Sequence, residues 1–160
     1  MGKVFLLFTS SDEGECLVTR TNCSYIQYCA YHSHFTNSSN QTVLYTNQPY
    51  GLLPNSPCQV PGAPSPNGNP AADTAATSAS HELTESITDP LGTGWYDSSG
   101  AEIGDECAYY YGFVNWNSST ANELWDGHPF FLQTEYSNYL QALNINNTNY
   151  TGCFNAGPEL

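Results

Sequence analysis

The chain has 160 residues, enough for a single domain with a hydrophobic core. Two basic residues, Lys3 and Arg20, stand against fifteen acidic ones, so the net charge is −13 at pH 7. This balance argues against nucleic acids and anionic membranes as partners, because both need a surface rich in lysine and arginine. Charged residues make up 11% of the chain and aromatic residues 14%, which is typical of a folded protein. No apolar run is long enough to span a bilayer.

The first third of the chain predicts three strands. Residues 4–9 form an apolar run, residues 25–35 alternate and are rich in aromatic side chains, and residues 42–46 resemble a strand. A turn at residues 37–41 joins the last two into a predicted hairpin.

A proline-rich segment follows the hairpin. Seven of the ten prolines fall within residues 47–70, which can form neither a regular helix nor a central strand. We therefore expect a long ordered loop within one domain that spans residues 1–160. The alternative is a flexible linker between two subdomains.

Residues 73–89 predict the main helix. Asp73 is a candidate N-cap, and Pro90 ends the helix because it disfavours helical geometry at Asp89. Apolar residues at helical spacing predict the face that packs on the core. They are Ala72, Ala76, Ala79, Leu83 and Ile87.

The remaining segments predict strands and turns. Residues 95–97 indicate a strand before a turn, and residues 107–114 an aromatic strand. Residues 130–136 indicate another strand, although apolar spacing from Leu132 to Leu143 also fits a helix. The predicted fold is α+β: one main helix on a mostly antiparallel sheet, with long loops and disulfides.

The cysteines predict disulfides. Six cysteines without a Cys-x-x-Cys pair favour bridges over a cysteine zinc site. Spacing alone does not choose among the possible pairings. We favour Cys107–Cys153, which would attach the C-terminal segment, and Cys29–Cys58, which leaves Cys16–Cys23.

The chain is rich in glycosylation signals. Chance produces Asn-x-Ser/Thr sequons in an Asn- and Ser-rich sequence, but together with the cysteines they favour a secreted, extracellular protein with N-linked glycans. The sequons begin at Asn22, Asn37, Asn40, Asn117, Asn146 and Asn149.

A His-Glu-x-x-Glu motif lies in the predicted helix. His81 and Glu85 are four residues apart, so they share one helix face and can bind one metal ion. Glu82 follows the first ligand, where a zinc peptidase holds its general base. The usual motif has a second histidine in place of Glu85, and a carboxylate there admits calcium as an alternative to zinc. A solvated ion pair on the helix surface is the other interpretation.

The third ligand is expected downstream, in an acidic cluster. Asp105 and Glu102 are the candidates, and Asp97 and Glu106 complete the cluster. Two further histidines, His32 and His34, alternate on a predicted strand, so they would share a face and either bind a metal or contact solvent.

Five segments resemble, in order, the EXORDIUM or phosphate-induced protein family of plants and its microbial relatives. The resemblance covers roughly residues 4–154, and the segments are Tyr28–His32, Ser65–Asn69, Ser80–Pro90, Gly94–Asp97 and Glu102–Cys107. It implies an extracellular or cell-wall location. Microbial members keep a His-Glu pair that plant members typically lack, which implies an ancestral metal-dependent hydrolase. On that basis the metal ligands would be His81, Glu85 and Asp105, with Glu82 as the catalytic base.

Three functions remain open at this point. The first is a metallopeptidase-like domain, in which a zinc ion and Glu82 activate water against a peptide bond. The second is a self-assembling extracellular glycoprotein of a wall, sheath or filament, in which copies pair through the strand at residues 4–8. The third is a module that binds extracellular glycans through aromatic side chains. The candidate aromatic residues are Trp95, Tyr96, Tyr109, Tyr110, Tyr111 and Trp116.

Overall fold

The fold is described from a computed structural model that covers residues 3–17, 20–51, 56–59, 65–112, 121–143 and 152–155. The fold is α+β, as predicted. One long helix, α1 (Pro70–Thr88), packs on a three-stranded sheet, and a short helix, α2, spans Asn138–Leu143. Among the described residues, no helix is long and apolar enough to cross a membrane.

The three-stranded sheet has its longest strand in the middle. Strand β5 (Thr42–Gln48) pairs in parallel with β1 (Val4–Phe8) on one side and antiparallel with β4 (Tyr31–Thr36) on the other. The other strands form antiparallel pairs. These pairs are β2 (Cys16–Leu17) with β3 (Asn22–Cys23), β6 (Glu123–Trp125) with β7 (His128–Phe130), and β8 (Glu135–Tyr136) with β9 (Cys153–Phe154).

The predicted hairpin is confirmed, with different strand limits. Strands β4 and β5 pair across the turn at residues 37–41, where the Asn37 N–H donates to the Gln41 carbonyl. The strand predicted from residue 25 begins only at Tyr31. Tyr25 has a φ of 69°, which is incompatible with an extended strand.

Two strands predicted after α1 are wrong. Residues 95–97 form no strand, because the Asp97 carboxylate accepts the N–H groups of Ser99 and Ala101 and closes a turn. In the segment 107–114, Cys107 ends a 3-10 helix over Asp105–Cys107, and the left-handed φ of 61° at Tyr109 prevents a continuous strand. Residues 113 and 114 lie outside the described part.

The segment at residues 130–136 is only partly a strand. Strand β7 ends at Phe130, residues 131–134 form neither helix nor strand, and β8 begins at Glu135. The helix that the alternative spacing predicts is present only in the C-terminal part of that range, where α2 contains Tyr139 and Leu143.

Helix α1 begins three residues before the prediction. Asn69 is the N-cap, since its side-chain oxygen accepts the Ala72 N–H at 3.3 Å, and Pro70 fills the first helical position. Asp73 is therefore not the cap. Its carboxylate is buried and accepts hydrogen bonds from Ser65 and Asn67, which closes the turn before the helix.

The predicted core face of α1 is also wrong. Leu83 and Ile87 are 37% and 69% exposed, whereas Glu82, Glu85 and Ser86 are buried. The polar face of the helix packs towards β4 and β5, and the apolar stripe faces outwards. The sheet matches this polar face, because the last residues of β5, from Thr46 to Gln48, are buried polar side chains.

Between β5, which includes Asn47 and Gln48, and α1, which begins at Pro70, the described part of the proline-rich segment is a loop. Residues 49–51, 56–59 and 65–69 belong to no helix or strand, and residues 52–55 and 60–64 lie outside the described part. Three disulfides hold the chain together, and their pairs are those favoured from the sequence. They join Cys16 to Cys23, Cys29 to Cys58, and Cys107 to Cys153.

Candidate metal centre

Helix α1 supplies the first two side chains of the site. The spacing of four residues places His81 beside Glu85, and the His81 Nε2 lies 3.1 Å from the Glu85 Oε1. Glu85 is only 3% exposed and Glu82 5%, so the pair is not a solvated ion pair on the helix surface. The motif residues belong to the inward face of the helix, next to the sheet.

Asp105 reaches this pair from the loop after the helix. Its Oδ1 lies 3.6 Å from the His81 Nε2, and its backbone N–H donates to the Glu85 Oε1 at 3.3 Å. Gly104 permits the approach, since a Cβ there would lie 2.7 Å from the His81 Nδ1 and 2.9 Å from the Glu85 Oε1. Ligand atoms of His81, Glu85 and Asp105 all lie within 4.8 Å of one another.

The other members of the acidic cluster lie elsewhere. Glu102 contacts His32 on β4, where the His32 Nε2 lies 3.1 Å from the Glu102 Oε2. Asp97 closes its own turn, and Glu106 is half-buried beside it. Of the two candidates for the third ligand, the structure therefore brings Asp105 and not Glu102 to the His81–Glu85 pair.

Strand β4 brings one of its two histidines into the site. The His32 Nε2 lies 3.9 Å from the Glu85 Oε2, whereas His81 contacts the other oxygen of that carboxylate. His32 forms a second group of potential ligands with Glu82 and Glu85, whose atoms are also within 4.8 Å of one another. His34 is exposed and belongs to neither group, so a His32–His34 metal pair is not formed.

Gln133 is a site residue that the sequence did not indicate. Its Nε2 lies 2.9 Å from the His81 Nδ1 and donates to the Gly104 carbonyl at 2.7 Å, while its Oε1 accepts the Tyr109 N–H. The amide of Gln133 therefore lies between the imidazole ring of His81 and the Gly104 carbonyl. An isolated glutamine far along the chain carries no sequence signal for this role.

A cavity of about 420 Å³ opens onto these side chains. Its walls come from the segment before β4, from α1 and from the loop after the 3-10 helix. Tyrosines line it beside the charged groups, so the cavity offers both apolar surface and polar contacts to a ligand. The lining tyrosines are Tyr28, Tyr31, Tyr109 and Tyr111.

Burial and mutual charge shift the ionisation of the site. Burial alone would lower the pKa of His81, but the hydrogen bond and charge of Glu85, with the charges of Glu82 and Glu135, raise it to about 10. Burial raises the pKa of Glu82 to about 8, against the attraction of His81 and with help from neighbouring carboxylates. Burial likewise raises the pKa of Glu135 to about 8. Without a cation, the site holds protons that free side chains would release.

Two segments that carry the family resemblance have structural roles. The Asp89 Oδ1 accepts the N–H groups of Thr93 and Gly94, both at 2.6 Å, which folds the chain back after α1. Gly94 is required, because a Cβ would lie 2.3 Å from the Thr88 carbonyl oxygen. Burial opposes the ionisation of Asp89, but hydrogen bonds from Tyr96, Gly94 and Thr93 lower its pKa.

The aromatic residues and sequons divide into exposed, packed and undescribed ones. Tyr96 and Tyr109 are exposed, whereas Tyr111 stacks on Phe131 at 4.3 Å. Among the sequons, Asn22 and Asn40 are exposed. The Asn37 carboxamide hydrogen-bonds within its own turn. Trp116, Asn117, Asn146 and Asn149 lie outside the described residues.

Comparisons of the chain with protein-family models, with curated proteins and with solved structures found no match. The functional argument therefore rests on the residues of the cavity and on their geometry.

Proposed function

We propose that this chain is a secreted metal-dependent hydrolase that cleaves peptide bonds. One observation carries the proposal: His81, Glu85 and Asp105 place three ligand atoms within 4.8 Å of one another, in a cavity that Glu82 also lines. Kinship with the microbial members of the EXORDIUM family is part of the proposal and rests on the motif residues alone.

The donor set fits zinc best. One imidazole nitrogen and two carboxylate oxygens supply three of the four positions of a catalytic zinc site and leave one open. Calcium takes oxygen ligands, so His81 disfavours it, although the two carboxylates keep it as the alternative. Gly104 supports the fit, because it lets the Asp105 loop close directly over the His81–Glu85 pair.

The residues of the site would have separate roles in the proposed hydrolysis. A bound zinc ion would supply Lewis acidity to a peptide carbonyl and to a water molecule. Glu82 takes the proton of that water and passes it to the leaving amine. Its raised pKa belongs to the protein without a cation, and a neighbouring positive charge lowers it towards the range in which Glu82 is ionised.

The disulfides and the sequons support the setting of this proposal. Three disulfides in one small domain suit an oxidising compartment. The exposed sequon asparagines Asn22 and Asn40 are available for N-linked glycans. We therefore propose an extracellular glycoprotein, in contact with the extracellular matrix or with other copies of itself.

Metal analysis and peptide hydrolysis together test the proposal. Purified protein should contain zinc and cleave members of a mixed peptide library. Glu82→Gln should keep the zinc held by His81, Glu85 and Asp105 and lose about 10²–10⁴-fold in rate, because it removes the base but none of those three ligands. His81→Ala should lose both zinc and activity, and His34→Ala is the matched control that keeps both. Protein that binds no divalent cation and cleaves no peptide would refute the proposal.

An exposed apolar strand supports a second candidate, a self-assembling extracellular glycoprotein. Phe5, Leu7 and Phe8 of β1 are each at least half exposed, and no described strand pairs with the outer edge of β1. Such an edge can accept a strand from another copy. Light scattering should then show polymers that Leu6→Pro abolishes, since proline cannot donate to the ladder, while a strictly monomeric wild-type protein would exclude this candidate.

A further inference from the structure

The cavity contains a second group of ligand atoms beside those of His81, Glu85 and Asp105. His32, Glu82 and Glu85 each offer an atom, and these atoms lie within 4.8 Å of one another. We propose that this group binds a second divalent cation and that Glu85 bridges the two ions. This inference rests on the proposed function for the first ion and assigns a separate site to the second.

The two oxygens of Glu85 face different histidines. Its Oε1 lies 3.1 Å from the His81 Nε2, and its Oε2 lies 3.9 Å from the His32 Nε2. The two histidines come from different elements, because His81 lies on α1 and His32 on β4. A bridging carboxylate in this orientation is typical of sites that hold two metal ions about 3.5–4 Å apart.

Glu82 provides an independent reason for a ligand at this position. Its side chain is 95% buried and lines the cavity, but no described residue donates a hydrogen bond or forms an ion pair with its carboxylate. Ionising a carboxylate in so buried a position costs free energy unless positive charge lies beside it, and the attraction of His81 does not offset this cost. A cation between Glu82, His32 and Glu85 supplies that partner.

The negative charge of the cavity also favours two divalent ions over one. Four carboxylates line it, and neither of the two basic residues of the chain, Lys3 and Arg20, does so. One divalent ion would balance half of that negative charge, and two would balance all of it. The carboxylates are Glu82, Glu85, Glu102 and Asp105.

The second ion regulates the proposed reaction. Glu82 is the base in the hydrolysis and a ligand of the second ion, and a coordinated cation lowers the affinity of its carboxylate for the proton of the water. Filling the second site should therefore slow hydrolysis by about 10²-fold, the lower end of what general-base catalysis contributes. The enzyme is active with one zinc ion and inhibited with two.

Zinc titration of the metal-free protein tests the second site without relying on activity. Isothermal calorimetry and elemental analysis should give two zinc ions in the wild-type protein and one in His32→Gln, a neutral polar replacement that lacks the imidazole. His34→Ala, on the same strand, is the matched control and should bind two. Asp105→Asn should weaken the first site and leave the second.

Each outcome separates the two proposals. One zinc ion in both the wild-type protein and His32→Gln would overturn the second site and leave the proposed function standing. One ion in the wild-type protein and none in His32→Gln would also overturn it, because His32 would then belong to the first site. No bound divalent cation in the wild-type protein would overturn the second site, and together with the absence of peptide cleavage it would refute the proposed function as well. If hydrolysis is measurable, excess zinc should inhibit the wild-type protein and not His32→Gln.

Discussion

The two faces of α1 differ in a way that reverses the usual order of burial. Glu82 and Leu83 are neighbours in the sequence, yet Glu82 is buried and Leu83 is exposed. Glu85 and Ile87 repeat the contrast one turn later. The inward face carries the groups that are hardest to remove from water, and the outward face carries groups that are not.

This contrast indicates what the inward face is for. An apolar face would bind the sheet at a lower cost in desolvation, so buried carboxylates reduce stability unless cations or hydrogen bonds balance them. Proteins retain such groups where chemistry requires them. The exposed stripe needs no such explanation, since single apolar side chains at a surface are common.

Among the changes that test this difference between the two faces, Gly104→Ala is expected to have the largest effect. The added Cβ would lie 2.7 Å from the His81 Nδ1, so the Asp105 loop must move away from the inward face. We expect zinc affinity to fall by about 10–100-fold, the usual cost of disturbing the support of a metal ligand. Calorimetric titration measures this. Gly14→Ala is the control, since a Cβ there meets nothing closer than 3.8 Å, and unchanged affinity in Gly104→Ala would contradict the assigned approach of Asp105.

A change of pH is expected to have an intermediate effect, on the melting temperature of the metal-free protein. Burial is the main cause that raises the pKa of Glu82 and of Glu135 from 4.5 to about 8 in the folded protein. An acid with a raised folded pKa stabilises the fold below its unfolded pKa and loses that contribution as pH rises through its folded pKa. The melting temperature of the metal-free protein should therefore fall between pH 5 and pH 8.

The variant Glu82→Gln measures how much of this pH dependence of the melting temperature comes from Glu82. Glutamine carries no charge, so the variant should melt several degrees above the wild-type protein at pH 8 and close to it at pH 4. Differential scanning calorimetry with a chelator present measures both values. Glu13→Gln, at an exposed position, is the control, and an equal slope in Glu82→Gln would rule out the buried ionisation.

The smallest effect is expected on the outward face. Ile87 is 69% exposed, so Ile87→Lys should change the free energy of unfolding by less than about 0.5 kcal/mol. Urea denaturation gives this value. A loss of 2 kcal/mol or more would show that something covers the stripe and would remove the contrast between the two faces.

The proximity of His81, Glu85 and Asp105 could be predicted from the sequence because it depends on short-range structure. His81 and Glu85 are set by the helical repeat, and Asp105 follows within one loop. The hairpin of β4 and β5 was equally accessible, because alternation and turn residues act over short distances. The start of α1 was misplaced, although Asn69 before Pro70 is a common beginning of a helix.

The inward face and the distant partners could not be predicted. Periodicity identifies two faces of a helix but assigns the apolar one to the core, and here the sheet presents buried polar residues such as Thr46 and Gln48 instead. The alternation on β4 predicts that His32 and His34 share a face and either bind a metal or contact solvent, whereas in the structure His32 contacts Glu85 of α1 and Glu102 of the following loop. Gln133 reaches His81 across 52 residues, a contact that only the tertiary fold creates.

The Cys107–Cys153 disulfide suggests an order for two steps, formation of this bond and binding of the proposed metal ion. Cys107 closes the 3-10 helix that begins with Asp105, and the bond ties that helix to β9. Reduced protein would lack the anchor of its third ligand, so we expect oxidation to precede metal loading. Newly made chains would then stay inactive in a reducing compartment and become competent only after the thiols are oxidised.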